Sequence, residues 1–135
     1  MKGNEKVGLT QVQTNNAPAP AGTYSQAIIA HGFLFIAGQG PFDRQGIRDL
    51  GTFRHEMLVT LKNLEVIAEA AGASIHSAVR FGVYLKDMAN FKEMNEIFTE
   101  YLKPPYPVRT TIPVNLNNFQ IEIDAVIRMP DKIDL

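Results

Sequence analysis

The chain contains no cysteine and no tryptophan among its 135 residues. Without cysteine it can have no disulfide framework, no thiolate metal ligand and no cysteine nucleophile. A chain without disulfides also fits a reducing compartment. The first residues hold no apolar core of signal-peptide length, and no segment approaches the roughly 18 apolar residues of a membrane span. We therefore expect a cytoplasmic protein with no membrane partner.

An excess of charge of either sign is missing as well. The 13 basic and 14 acidic residues give a formal net charge of −1 at pH 7, and the basic residues are scattered along the chain. Nucleic-acid-binding surfaces carry clustered Lys and Arg, so no nucleic-acid partner is expected. His31, His55 and His76 lie far apart, in a predicted turn, helix and loop, which is not the spacing of metal ligands. The sequence thus predicts no metal and no cofactor.

The overall composition, 45% hydrophobic and 20% charged, is typical of one soluble globular domain. Residues 1–16 are polar, and we expect them to form a flexible N-terminal extension in which residues 7–12 can make a short edge strand. The single domain is predicted to span residues 17–135.

Three apolar runs predict strands in the first two thirds of the domain. The runs at residues 25–30 and 33–37 flank His31-Gly32, and this spacing with a glycine predicts a β-hairpin. Residues 79–85 form a third β-prone run.

Two stretches carry apolar residues at spacings of three or four, the pattern of an amphipathic helix. The first predicts a helix over residues 53–71 with Thr52 as its N-cap. The second predicts a helix over residues 91–102, with Asn90 as N-cap and Glu93 completing a capping box.

The segment that carries Arg109 and Glu122 has the strongest chemical signal. Arg109 stands between two prolines, and apolar residues then alternate over residues 121–125. That alternation is the period of a strand, and it places Glu122 and Asp124 on the face opposite the apolar residues. A cation and two carboxylates thus lie on one short, hairpin-like segment.

These elements predict an α/β (α+β) fold, in which two helices pack on one face of a single mixed β-sheet. Residues 33–37 are apolar at every position and residues 81–85 nearly so, which indicates strands buried on both faces. Two helices about 28 Å and 18 Å long can cover only one of these faces. We therefore expect another subunit to cover the second face, with Glu122 near the interface.

Arg109 and Glu122 are the candidate catalytic residues, and each has a structural alternative. A guanidinium stays charged and binds a carboxylate through two hydrogen bonds, which suits an acidic substrate; the alternative is a surface arginine or an intersubunit ion pair. A carboxylate in a partly dry site can deprotonate a water molecule; the alternative is an exposed residue on an edge strand. For Asp124 a structural role is favoured.

Three other residues are candidates for ligand contact. Tyr24 follows a stretch rich in proline and could reach a ligand, although a tyrosine beside a turn more often serves packing. Gly38 ends a buried strand, where the backbone can approach a ligand closely, but turn formation also explains it. Asn95 is a mediocre helix former that could lie on the polar face without any role.

Taken together, the chain resembles the Rid (reactive intermediate deaminase, RidA/YjgF) family, in segments that occur in the family's order across residues 17–128. The segments are TYSQA (23–27), FLFIAGQGP (33–41), EAAG (69–72), VYLKDMANF (83–91), MNEIFTEY (94–101), PVR (107–109) and IEIDA (121–125). The resemblance implies a chorismate-mutase-like subunit, assembled as a homotrimer with clefts between subunits.

The resemblance also implies an activity. Members of the family hydrolyse reactive 2-imino acids or enamines, of the 2-iminobutanoate/2-iminopropanoate type, to 2-oxo acids and ammonia. Arg109 matches the family's carboxylate-binding arginine, and Glu122 matches the glutamate that positions water. Four residues match positions that line the cleft: Tyr24, Gly38, Asn95 and Thr111.

The chain departs from the family's pattern around the expected cleft. Thr23 stands in place of a usual proline, Thr110 in place of a serine or small residue, and Thr111 in place of a frequent cysteine. The segment between Arg109 and Glu122 is shorter than in typical members and lacks their Leu-Pro. Alternatives to the implied activity are a deaminase for a different enamine and a non-catalytic, carboxylate-binding or regulatory trimer. Some relatives are described as ribonucleases, which the acidic pI argues against.

Overall fold

The structure, a computed structural model, describes residues 6–131. One six-stranded sheet, in the order β1-β2-β3-β6-β4-β5, carries two helices. All neighbouring strands are antiparallel except β4 and β5, which are parallel. The predicted single mixed sheet with two helices is confirmed. The elements are β1 (Thr10–Val12), β2 (Ala27–Ala30), β3 (Phe33–Gln39), α1 (Phe53–Ala70), β4 (Ala78–Leu85), α2 (Phe91–Tyr101), β5 (Val108–Pro113) and β6 (Ile121–Arg128).

The predicted hairpin is present as β2 and β3. Ala30 pairs with Phe33 across the two-residue turn of His31 and Gly32. Both turn residues have positive φ, 50° and 82°, and this turn conformation matches the twist of the flanking strands. Gly32 tolerates this conformation because it has no Cβ.

The first helix forms as predicted, to within one residue at its C-terminal end. The Thr52 hydroxyl accepts a hydrogen bond from the His55 amide at 3.1 Å, which caps the N-terminus of α1. Gly72 follows the helix with φ of 80°, a left-handed conformation that ends helices.

The predicted capping box of the second helix is wrong. Asn90 makes no side-chain hydrogen bond to the start of α2. A 3₁₀ turn over Met88–Asn90 leads into the helix instead. The N-cap of this turn is Asp87, whose carboxylate accepts a hydrogen bond from the Ala89 amide at 2.9 Å. Because Asn90 ends this turn, it lacks the extended backbone of an N-cap.

The hairpin-like pairing of the two C-terminal strands is also wrong. β4 lies between β5 and β6 and pairs with both. The chain runs from β4 through α2 to β5, and such a crossover returns the second strand parallel to the first. Arg109 and Glu122 therefore lie on strands that do not touch.

Side-chain alternation separates a helix face of the sheet from an open face. Ile121, Ile123 and Ala125 are buried against the helices, while Glu122 and Asp124 between them are half-buried on the other side. The face assignment predicted for β6 is confirmed.

The open face carries exposed apolar side chains. Phe35 on β3 is 47% exposed, and on the edge strand β5 Val108 and Ile112 are 69% and 42% exposed. No described element packs over them, since both helices lie on the other side. That a second subunit covers this face stays a prediction.

The N-terminal segment belongs partly to the sheet. Thr10 pairs with Ile29 and Val12 with Ala27, so the short edge strand that the sequence allows within residues 7–12 forms over Thr10–Val12. The part of the extension before residue 6 lies outside the described residues, and the domain boundary at residue 17 stays a prediction. Neither described helix is long and apolar enough to cross a bilayer. The cytoplasmic location stays a prediction.

Candidate functional site

The structure sorts the predicted site residues into two groups at separate cavities. A cavity of about 450 Å³, here called the Arg109 pocket, is lined by Arg109 and Asn95 among others. A cavity of about 240 Å³, here called the Glu122 pocket, is lined by Tyr24, Gly38 and Glu122 among others. The two cavities share no lining residue.

The Arg109 side chain is held by α2 and by its own strand. Its Nη2 donates to Asn95 Oδ1 at 2.6 Å, and its Nη1 donates to Thr111 Oγ1 at 3.2 Å. Nη1 also lies 3.5 Å from the sulfur of Met94. These contacts fix the direction of the guanidinium, and they bring together three of the residues that the sequence singled out.

Two aromatic rings of α2 complete the surroundings of Arg109. Its Cζ lies 5.6 Å from the ring centroid of Phe91 and 5.4 Å from that of Phe98, within the range of cation–π attraction. Sequence reasoning missed both as site residues. The signal that could have found Phe98 is its helical spacing of three from Asn95, which puts both on one face.

The charge of Arg109 has no counter-ion in the described part of the chain. No carboxylate of residues 6–131 forms an ion pair with it. Burial lowers the pKa of the guanidinium, but an arginine remains charged at neutral pH. A fixed and unneutralised cation beside a cavity can bind a carboxylate.

Glu122 projects from β6 on the open face, and it too lacks a partner of opposite charge among residues 6–131. Burial raises its pKa, and the negative charge of nearby Asp124 raises it further. Both effects favour the protonated form, so the ionised carboxylate is a stronger base than an ordinary surface glutamate. Such a group suits proton transfer with water.

Gly38 gives the Glu122 carboxylate its space. A Cβ built at Gly38 would overlap Glu122 Oε2 and would lie 2.9 Å from its Cδ. Any other residue here must displace the carboxylate. The close approach that the sequence predicted for Gly38 is thus made to a side chain of the same chain.

Asp124 is held in place by three donors. Arg80 Nη1 lies at 3.0 Å, the Gly82 amide at 3.2 Å and the Tyr84 hydroxyl at 2.7 Å from its carboxylate. The Tyr84 pKa is raised, chiefly by this hydrogen bond to Asp124. These bonds fit the structural role that the sequence favours for Asp124.

Tyr24 lies at the rim of the Glu122 pocket and is 52% exposed. Its hydroxyl accepts a hydrogen bond from the Ala21 amide at 3.0 Å, which ties the ring to the proline-rich segment. Gln26 fixes that segment from below, since its Nε2 donates to the Pro18 carbonyl at 2.8 Å. The rim is therefore an ordered part of the fold.

Two buried polar residues of α1 anchor the loops beside the Glu122 pocket, one loop after β3 and one before β6. Asn63 Nδ2 donates to the carbonyls of Gly40 and Phe42, at 3.1 Å and 2.9 Å. Glu56 accepts from the amide and the Nε2 of Gln120, at 2.9 Å and 2.8 Å. Sequence reasoning missed these contacts because irregular loops carry no periodic signal.

The two pockets open on different sides of the sheet. Arg109 pairs with Phe81, whose ring is buried under the helices, and it points toward α2. Glu122 pairs with Tyr84 on the open face. Within one chain the cation and the carboxylate therefore project from opposite faces of the sheet.

Comparison with known proteins identifies the family. The family model described as "Endoribonuclease L-PSP" matches residues 14–129. A RutC family protein of Pyrococcus horikoshii is 43% identical over 116 residues, which cover 84% of this chain and 92% of that protein. The chloroplastic Reactive Intermediate Deaminase A of Arabidopsis thaliana is 36% identical over 124 residues, which cover 85% of this chain and 63% of that protein.

A solved structure of a Rid protein has the same fold as this chain. The crystal structure of RidA from the Antarctic bacterium Psychrobacter superposes with a TM-score of 0.83 at 34% identity, covering 89% of this chain and 99% of that one. Sequence model, relatives and fold agree over nearly all of the described residues. The chain therefore belongs to the Rid (RidA/YjgF) family.

Proposed function

We propose that the protein is a deaminase that hydrolyses 2-imino acids to 2-oxo acids and ammonia. The site is composite, with the Arg109 pocket of one subunit facing the Glu122 pocket of its neighbour. The observation that carries the proposal is a pair of charges without counter-ions among residues 6–131, a fixed guanidinium and a carboxylate with a raised pKa.

Arg109 binds the substrate carboxylate in this scheme. Asn95 and Thr111 accept hydrogen bonds from the guanidinium and fix its direction, which leaves its remaining N–H groups for the substrate. Holding the carboxylate orients the neighbouring imine carbon for attack. The positive charge also selects anionic substrates.

Glu122 acts as the general base and then as the general acid in this scheme. A protonated imine is already electrophilic, so a water molecule adds to its carbon while Glu122 takes a proton from that water. Glu122 then returns the proton to the nitrogen of the tetrahedral intermediate. The carbon–nitrogen bond then breaks and ammonia leaves, while the Glu122 carboxylate takes the proton of the hydroxyl group, so that the carbonyl of the 2-oxo acid forms.

The assembly that joins the two pockets is proposed to be a homotrimer. A head-to-tail interface repeated around a closed three-fold axis sets one face of each subunit against a different face of the next. The exposed apolar side chains of the open face, Phe35 and Ile112 among them, support burial of that face in an interface.

The names given to the relatives and to the family model point to two different activities. One relative, from Arabidopsis thaliana, is named a reactive intermediate deaminase, while the family model is described as an endoribonuclease. A net charge of −1 offers no basic footprint for RNA. The carboxylate-binding role proposed for Arg109 therefore favours the deaminase.

The proposal is tested with an imine made in situ by a PLP-dependent threonine dehydratase. Release of the 2-oxo acid is followed by its reduction with NADH, with and without the protein. We expect acceleration by the wild type and by Arg44→Ala, which removes an exposed arginine outside both pockets, and none by Arg109→Ala. No acceleration by the wild type contradicts the proposal, and binding of the 2-oxo acid alone would then indicate a non-catalytic protein.

A further inference from the structure

The two carboxylates on the open face of β6 lean toward different strands. A Cβ built at Gly38 on β3 would overlap Glu122 Oε2, whereas a Cβ built at Gly82 on β4 would lie 2.6 Å from Asp124 Oδ1. Each carboxylate therefore lies over a glycine of a neighbouring strand, Glu122 over β3 and Asp124 over β4. Because both glycines lack a side chain, two like charges on one face of β6 can lie apart.

Tyr84 lies next to Glu122 but is bonded to Asp124. Tyr84 on β4 pairs directly with Glu122 on β6, and such cross-strand neighbours have Cβ atoms about 4.5–5.5 Å apart. The Tyr84 hydroxyl nevertheless donates to Asp124 Oδ2 at 2.7 Å. The Tyr84 pKa is raised chiefly by this bond and then by burial, and the charge of Glu122 adds a smaller effect. The hydroxyl thus binds one carboxylate while a second lies close by.

Glu122 keeps both of its oxygens open. No side chain or backbone amide of residues 6–131 donates a hydrogen bond to its carboxylate, although the neighbouring Asp124 accepts three. Within the same residues no fully buried side-chain oxygen lacks a partner, so the unbonded oxygens of Glu122 reach solvent in the Glu122 pocket. A general base must come within hydrogen-bond reach of the water that it deprotonates, and a protein donor on the carboxylate would compete for that position.

Asp124 has two further donors that keep it in place. Arg80 Nη1 and the Gly82 amide both donate to Oδ1, at 3.0 Å and 3.2 Å, which leaves Oδ2 for the Tyr84 hydroxyl. We infer that Asp124 is a positioning residue, which holds the Tyr84 hydroxyl away from Glu122 and so leaves the Glu122 carboxylate free for the attacking water. The inference rests on the proposed deaminase function and concerns the same site. Asp124 acts through its neighbours and contacts neither substrate nor water.

The test is a double-mutant cycle of Asp124 and Tyr84. Asp124→Ala frees the Tyr84 hydroxyl, and Glu122 is the neighbouring carboxylate that can accept it. A hydrogen bond to a charged group changes an equilibrium by about tenfold or more, so kcat for imine hydrolysis should fall by about that factor. In the Tyr84→Phe background there is no hydroxyl to free, and Asp124→Ala should lower kcat by less than about threefold. Equal losses in both backgrounds would indicate a merely structural Asp124 and overturn the inference.

Asp124→Asn separates the hydrogen bond from the charge. Its amide oxygen can still accept from Tyr84, while the negative charge is gone. We expect Asp124→Asn to keep more of the wild-type kcat than Asp124→Ala does. The acid limb of kcat/KM should also move to lower pH in Asp124→Ala than in Asp124→Asn, because a donor to ionised Glu122 lowers its pKa in addition to the lost charge. Equal acid limbs in the two variants contradict the inference.

A measurement without turnover covers the case in which Asp124→Ala does not fold. The carbon-13 NMR signal of the Glu122 carboxyl group is titrated in the wild type and in Tyr84→Phe, with Glu122→Gln to assign it. If Asp124 holds the hydroxyl, removing the hydroxyl leaves the Glu122 titration in place. A Glu122 pKa that rises in Tyr84→Phe would show that the hydroxyl is bonded to Glu122, and it would overturn the positioning role. A wild type that titrates as expected but hydrolyses no imine contradicts the deaminase alone.

Discussion

Arg109 and Glu122 lie on opposite faces of one sheet, on two strands that β4 keeps apart. Arg109 points toward α2, where Asn95 accepts its hydrogen bond, and Glu122 points to the open face beside Gly38. Neither has an ion-pair partner among residues 6–131. In the proposed composite site, each subunit presents one half on either side of its sheet, and a neighbouring subunit supplies the complement.

Glu122→Gln is expected to lower kcat by about 10² to 10⁴, the usual contribution of a general base. An amide keeps the shape of the carboxylate but cannot take a proton, so binding of the 2-oxo acid should persist. The measurement is imine hydrolysis together with calorimetric binding. Glu69→Gln, at an exposed position near the end of α1, is the matched control and should behave as wild type. Full activity in Glu122→Gln would show that Glu122 is not the base.

Gly38→Ala tests whether the glycine makes room for the carboxylate. The added methyl group must displace Glu122, because its Cβ would lie 2.9 Å from the carboxyl carbon. We expect a loss of turnover comparable with that of Glu122→Gln and little loss of fold. Gly22→Ala is the control, since a Cβ there meets nothing closer than 3.8 Å. Circular dichroism and imine hydrolysis are measured for both, and an active Gly38→Ala would contradict the role.

The pH dependence of kcat/KM should report the raised pKa of Glu122. Glu122 acts as a base only when ionised, so activity falls as the pH drops through its pKa. Burial, and secondarily Asp124, raise that pKa, so the fall should begin at a higher pH than for an ordinary glutamate. Asp124→Asn removes the smaller cause and should move the acid limb to lower pH, whereas exposed Asp131→Asn should not. An acid limb that Asp124→Asn leaves in place would contradict this coupling.

Asn63→Ala is expected to lower the free energy of unfolding by about 1–3 kcal/mol, because the buried Gly40 carbonyl and the partly buried Phe42 carbonyl lose their donor. Urea denaturation at fixed protein concentration measures this. Lys92→Ala, at an exposed position of α2, should change stability by less than about 0.5 kcal/mol. If Asn63→Ala unfolds at the same urea concentration as the wild type, the hydrogen bonds of Asn63 do not stabilise the loop that follows β3.

The sequence could predict those elements that local patterns determine. The helical spacing and Thr52 located α1, and the turn of His31 and Gly32 located the first hairpin. The order of strands was not predictable in this way, since β6 enters between β3 and β4 through contacts between residues distant in the chain. The capping error at Asn90 has a local cause, the 3₁₀ turn that precedes α2.

The candidate site was predictable in part for the same reason. Residue type and strand period were enough to select Arg109 and Glu122, but they could not show that the two face apart. Phe42 and Phe119 line the Glu122 pocket from irregular loops, where no periodicity marks an inward-facing side chain. Their position depends on Asn63 and Glu56, which a helical pattern would treat as ordinary polar residues.

The most direct test of the composite site is complementation between two inactive variants. Arg109→Ala and Glu122→Gln are each assayed alone and after co-expression, with imine hydrolysis as the measurement. If one subunit supplies Arg109 and its neighbour supplies Glu122, random mixing in a symmetric ring leaves about one quarter of the sites intact. The mixture should then recover about that fraction of wild-type activity. A mixture no more active than either variant, under conditions where co-expressed wild-type chains are fully active, would contradict the composite site.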